Sequence, residues 1–171
     1  MIRELLDNER ANFAGSWYTL TDATFEPKPV QSPLPILVGT KSPRMLRTVA
    51  RYANAWNTWG VPRVVATVTE RFVAACEAEQ RDPAAISRSA QALVFITDND
   101  AQRDELVAKV GTDRAIVGSA AEIVDVMSEY AAAGLDEFAL PDFNLGESVE
   151  QRRESIERFH EEVVRHLSNS T

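Results

Sequence analysis

Four prolines, at positions 27, 29, 33 and 35, fall within FEPKPVQSPLP, and the apolar run ILVG at 36–39 follows directly. No other feature restricts the fold of this chain as much. Proline fixes φ and lacks an N–H, so residues 23–35 can be neither helix nor central strand. They form a stiff, extended connector. The short apolar run after it, rich in β-branched residues, predicts a fully buried parallel strand. Then the period changes. Ser42 can cap a helix that opens with Pro43, where a missing N–H costs nothing. Met45, Leu46, Val49, Ala50 and Ala53 form its apolar stripe.

The rest of the chain keeps alternating. Ile2, Leu5 and Leu6 place a short helix at 1–9, and SWYTLTD at 16–22 reads as a strand. Residues 53–58 read as the next strand or its end. A helix over 62–80 turns Val65, Val68, Phe72, Ala75 and Cys76 inward. Asp82 and Pro83 open a short helix to about Ser87. Residues 89–97 form a strand with an almost continuous apolar centre. Asp98, Asn99 or Asp100 can cap a helix over 101–110. The clearest helix is 119–133: Ser119 and Glu122 make a capping box, Ile123, Val126, Met127 and Tyr130 make its face, and Gly134 ends it. Residues 135–141 form a strand, and 147–171 a charged amphipathic helix with its tail. This order predicts an α/β class with a mainly parallel sheet. The length, 171 residues, suits a single domain with a real core. A complete TIM barrel takes about 250 residues.

Charge narrows the partners. Acidic residues number 26 against 18 basic, a net charge of −8. Nucleic acid and anionic membranes are bound through clustered Lys and Arg, so neither is expected as a partner. A single cysteine, Cys76, excludes an internal disulfide and fits a reducing compartment. The start MIRELLDNER lacks a signal-peptide apolar core, and no apolar run approaches the ~20 residues of a membrane span. A soluble, cytoplasmic protein is expected. Two widely spaced histidines and one cysteine make no zinc pattern, so no metal is expected. No nucleophile elbow, complete P-loop or dinucleotide fingerprint is present, and no general base declares itself, so the catalytic residue is unassigned.

Parallel α/β folds bind ligands at the C-terminal ends of strands. Four such ends can be named: 39–42, 56–60, 97–100 and 141–146. At the first, Gly39 permits close backbone approach, Thr40 and Ser42 bring hydroxyls, Lys41 a cation, and the helix after them its positive end. This set suits a phosphate, and it equally suits a plain strand-to-helix turn. At the second, Trp56 can wall a flat-ring pocket beside Asn57, or pack in the core. Asp98, Asn99 and Asp100 read as a cap cluster, Cys76 as a small core residue, and His160 and His166 as solvated.

The order of motifs resembles the luciferase-like superfamily of flavin- and deazaflavin-dependent monooxygenases and oxidoreductases. The residues that carry the resemblance are FAGSWYTL, EPKPVQSPLPILVGT, PRMLRTVARYA and NAWN between Phe13 and Asn57. CEAEQRDPAAISRS and VGSAAEIVDVMSEYAAAGLDEFAL follow in order. The resemblance implies a TIM-type (β/α)8 barrel with FMN or a 5-deazaflavin, coenzyme F420, at its C-terminal face. In that scheme 36–39, 53–58, 91–97 and 136–140 are barrel strands five to eight, the C-terminal half only. It also implies cofactor binding by Gly39, Thr40, Lys41, Ser42, Trp56 and Asn57, with a small organic substrate beside them. Thr40 replaces the family's usual second glycine, and a φ > 0 there would be strained. Strands one to four are missing from this scheme, and two expectations follow. One is an oxidoreductase or monooxygenase. The other is a catalytically incomplete half barrel that self-associates as a homo-oligomer or pairs with a separate N-terminal half.

Overall fold

The computed structural model describes residues 1–167, which divide into two compact units with the boundary along the chain after Ile36. The tail at 168–171 lies outside the described residues. In the first unit, helix α1 (Ile2–Asp7) precedes an antiparallel hairpin of β1 (Ala11–Ala14) and β2 (Thr19–Ala23). The ammonium of Lys28 donates to the carbonyls of Leu5 (2.9 Å) and Asn8 (2.6 Å). A cation there satisfies acceptors that the end of α1 leaves open. The strand expected at 16–22 begins at Thr19, because Gly15 N donates to Tyr18 O and closes the turn first. β1 escapes a sequence reading, since four residues without a β-branched side chain carry no usable period. Residues 24–36 carry neither helix nor strand.

The second unit alternates throughout. Strand β3 (Leu37–Gly39) leads to α2 (Pro43–Tyr52), β4 (Ala55–Trp59) and α3 (Pro62–Ala78). A single 3-10 turn (Pro83–Ala85) precedes β5 (Ser87–Gln91) and β6 (Leu93–Ile96). Then come α4 (Asp100–Val110), β7 (Ala115–Gly118), α5 (Ala120–Ala132) and β8 (Glu137–Ala139). The last helix is α6 (Val149–Phe159), a π-helical turn (His160–Val164) and α7 (Arg165–Leu167). β3, β4, β5 and β8 form a parallel sheet in that order, and β6 pairs in parallel with β7.

Several expectations are corrected here. Four strands alone, the C-terminal half of a barrel, do not describe the chain: eight strands lie between residues 11 and 139. The α/β class stands, barrel-like in its alternation. The expected strand 89–97 is two strands, because the chain changes partners at Ala92, from β4 and β8 to β7. The run AIVG that forms β7 is too short to be told from a loop by period. The run at 36–39 is not fully buried: Leu37 is 59% exposed, and β3 is the edge of its sheet, with β4 on one side only among the described residues.

The helices follow their local signals. Ser42 caps α2, its Oγ accepting from Met45 N at 3.3 Å. Of the three candidates before α4, Asn99 is the cap, with Oδ1 accepting from Gln102 N at 3.0 Å. Ser119 and Glu122 close the capping box on α5. The amide and hydroxyl of Ser119, bonded to the Glu122 carboxylate, hold it below the ordinary carboxylate range.

Two clusters make the core of this unit. One packs Leu46, Val49, Ala50 and Ala53 against Trp56, Val68, Phe72 and Cys76. Cys76 is buried, and burial pushes its thiol upward. The other gathers Val65, Ala90, Val94, Ile116, Ile123, Met127, Tyr130 and Val163. Tyr130 donates its hydroxyl to Gly60 O at 2.6 Å, so its burial strands no polar group. No described helix is long and apolar enough to cross a membrane.

Phe72 is fully buried and stacks on Trp56, whereas Met45, expected on the α2 stripe, is 39% exposed. Phe72→Ala is therefore expected to cost about 3–5 kcal/mol of unfolding free energy. Met45→Ala should stay within about 0.5 kcal/mol. Urea denaturation of both variants measures the contrast, and equal losses would contradict this view of the core.

Candidate functional site

The turn between β3 and α2 is fastened from below and bonded within itself. Thr40 N donates to Asn57 O at 3.0 Å, and Thr40 O accepts from Trp56 Nε1 at 2.9 Å. Thr40 Oγ1 accepts from Ser42 N at 3.1 Å. The donors that open α2 are largely engaged too. Pro43 has no N–H, while Met45 N and Leu46 N bond to the Ser42 hydroxyl and carbonyl. An anion here would meet few bare helix amides. It would meet hydroxyls: Thr40 and Ser42 accept in these contacts, so each keeps its O–H to donate. Lys41 adds an exposed cation. A Cβ on Gly39 would touch nothing within 4 Å, so the space above the backbone is open. Thr40 is not among the described residues with positive φ, so replacing glycine there brings no strain.

Strand alternation decides which β4 side chains join this turn. Asn57 and Trp59 share one face, and Trp56 and Thr58 the other. Trp56 is 1% exposed, with its ring 4.6 Å from that of Phe72 and nearly parallel to it. It packs in the core and supports the turn from beneath. Asn57 lies in register with Gly39 on one side and Ser89 on the other. It donates through Nδ2 to Ser89 Oγ at 2.9 Å and accepts from Gln91 Nε2 at 3.2 Å. One Asn57 amide hydrogen is left to donate elsewhere.

Gly39, Thr40, Lys41 and Asn57 thus line one depression of about 300 Å³, together with Thr58, Trp59 and Gln91. Four of the six residues picked from sequence meet there. Ser42 stands beside it as the helix cap, and Trp56 lies under it. Thr58, Trp59 and Gln91 line it without being among the six residues that the sequence singles out. A signal for Trp59 existed: once Asn57 faces the turn, period two puts residue 59 on its face and excludes residue 56. Trp59 Nε1 is buried with no partner, an unmet donor in the wall. Its ring stacks on Phe143 at 6.1 Å, and the Arg114 guanidinium lies 5.7 Å from its centroid. Among the described residues, no carboxylate or imidazole lines the depression. Among the described residues, no three His, Cys, Asp or Glu side chains gather as a metal site.

The luciferase-like monooxygenase family model matches residues 1–114. The chain belongs to that family. An F420-dependent hydroxymycolic acid dehydrogenase from Mycobacterium tuberculosis is 26% identical over 101 residues, 59% of this chain and 28% of that protein. Among solved structures, the coenzyme F420 dependent tetrahydromethanopterin reductase of Methanopyrus kandleri matches with a TM-score of 0.77 and 16% identity. That match covers 97% of this chain and 60% of the reductase. A monooxygenase from Streptomyces bottropensis matches with a TM-score of 0.73 and 16% identity, over 96% of this chain and 58% of its own. At such identities the structures establish the fold. The chain spans about 60% of the length of these two structures and 28% of the length of the curated relative.

These findings correct the restriction to a C-terminal half. The luciferase-like match begins at residue 1, and the structural matches run over nearly the whole chain. The pairing with a separate N-terminal half, and the self-association argued from the same half-barrel, fall with it.

Trp56→Phe keeps most of the ring and deletes one hydrogen bond, the one to Thr40 O. The expected loss is about 1–3 kcal/mol, because the carbonyl loses a buried donor. Amide hydrogen exchange should quicken at residues 40 and 42 more than in α5. Uniform exchange across the two regions would show that the indole does not hold the turn.

Proposed function

We propose that this luciferase-like chain binds a flavin-type cofactor, FMN or coenzyme F420, at the end of β3 and β4, and that it serves an oxidoreductase. The observation that carries the proposal is the meeting of Gly39, Thr40, Lys41 and Asn57 around one depression with the unmet Trp59 donor. Family membership supports the class of chemistry, and two of the proteins named above are called F420-dependent.

The residues present fit such a group. Lys41 with the Thr40 and Ser42 hydroxyls would hold its phosphate, the contact made strong by opposite charge. Trp59 Nε1 and the remaining Asn57 amide hydrogen would meet acceptors on its ring edge. Gly39 leaves room for close backbone approach. The bonded row Ser89–Asn57–Gln91 fixes those amides before anything binds, which lowers the cost of ordering. The cofactor supplies the redox chemistry when bound; the protein positions it and limits water around it. A small organic substrate would take its place beside the ring.

Anaerobic titration with reduced FMN, and separately with reduced F420, tests the reading. One of the two should bind saturably with a spectral change, and Lys41→Ala should weaken it about tenfold or more. Silence from both at near-millimolar concentration would sink the proposal for this chain.

A further inference from the structure

A second cavity, of about 260 Å³, lies at the ends of β6 and β8, among α4, α6 and the loop after β8. Its walls are mainly apolar: Val94, Ile96, Leu106, Leu140, Leu145 and Phe159. The polar side chains in the lining are engaged, with one exception. Gln102 Oε1 accepts from Asp98 N at 3.0 Å, and Ser155 Oγ donates to Leu145 O at 2.7 Å. Arg158 donates to Asp98 and to Glu162, which ties α6 to the segment before α4. These bonds fasten the walls without pointing to any charged occupant.

The exception is Asn144. Its Nδ2 donates to Val94 O at 3.1 Å. A carbonyl only accepts, so the amide nitrogen must face Val94 and the oxygen must be the atom left over. That oxygen, Oδ1, is buried and has no partner. Buried acceptors are almost always satisfied, so an unpartnered one on a residue that lines a cavity calls for a donor.

We propose that this cavity is a binding site for a small, neutral, apolar molecule carrying one hydrogen-bond donor, a hydroxyl or N–H, given to Asn144 Oδ1. The size agrees: a dry 150 Å³ cavity in another protein accepts benzene, so this one accommodates on the order of ten heavy atoms. An anion is disfavoured because the one cation in the lining, Arg158, already serves two carboxylates. The site is independent of the cofactor reading. Its lining comes from β6, α4, α6 and residues 140–145, and it shares no residue with the depression proposed for the cofactor.

Phenol and toluene have the same shape and differ in the donor, so they make the test. Titration calorimetry of the full chain should show saturable phenol binding, with toluene at least about fivefold weaker. Asn144→Leu should abolish the preference. Leu106→Trp, which fills the cavity and leaves Asn144 in place, should abolish binding of both and carries the test if Asn144→Leu fails to fold. The proposal is overturned if phenol does not bind by about 10 mM, a water alone then serving Asn144. Equal binding of the two probes, or a preference that survives in Asn144→Leu, overturns it as well.

Discussion

The Trp56 indole is held twice. Its ring lies flat against Phe72 in the core, and its Nε1 donates to the carbonyl of Thr40 in the turn above. That one side chain therefore couples three elements: β4, which carries it, α3, which supplies Phe72, and the turn between β3 and α2. Packing sets the height of the indole, and the indole sets the position of Thr40. The turn that carries Thr40 and Lys41 is thus anchored to the core beneath it. This matters because β3 is a three-residue edge strand, 59% exposed at Leu37, and could not hold a turn by its own burial.

The turn is bonded within itself and still keeps donors to spare. Ser42 N, Met45 N and Leu46 N are bonded inside it, so the positive end of α2 is largely spent on its own cap. What remains outward is the hydroxyl hydrogens, the Lys41 charge and the open space above Gly39. On the other side of the depression, the Ser89–Asn57–Gln91 row uses amides to orient one another and leaves donors over. Both halves keep a fixed geometry with unused donors, which suits an electron-rich partner.

Legibility from sequence followed the range of the interactions. The capping box at Ser119 and Glu122, the Ser42 cap before Pro43 and the stripe of Leu46, Val49 and Ala50 depend on neighbours within a turn, and each was visible. The site was half visible. Gly39, Thr40, Lys41 and Asn57 lie next to strand ends that a parallel fold directs to one edge. For Trp56 the sequence leaves a pocket wall and core packing both open; strand parity favours the core, and the same parity puts Trp59 on the face of Asn57. Gln91 was out of reach, because its place beside Asn57 comes from the register between β4 and β5, across more than thirty residues. The change of partner at Ala92, which splits one expected strand in two, has no local mark at all.

The amino-acid order alone determined the α/β class, the helix ends and the lack of regular structure in the proline-rich stretch. These rest on backbone sterics and on hydrogen bonds closed within four residues. The tertiary structure decided that the described residues form eight strands rather than only the four of a C-terminal half barrel, and that β3 is an exposed edge rather than a buried strand. It also decided that Trp59 rather than Trp56 faces the depression, and that Asn144 keeps a buried acceptor open. Each of these depends on which strand or helix lies alongside, and that neighbour is chosen by the packing of the whole unit.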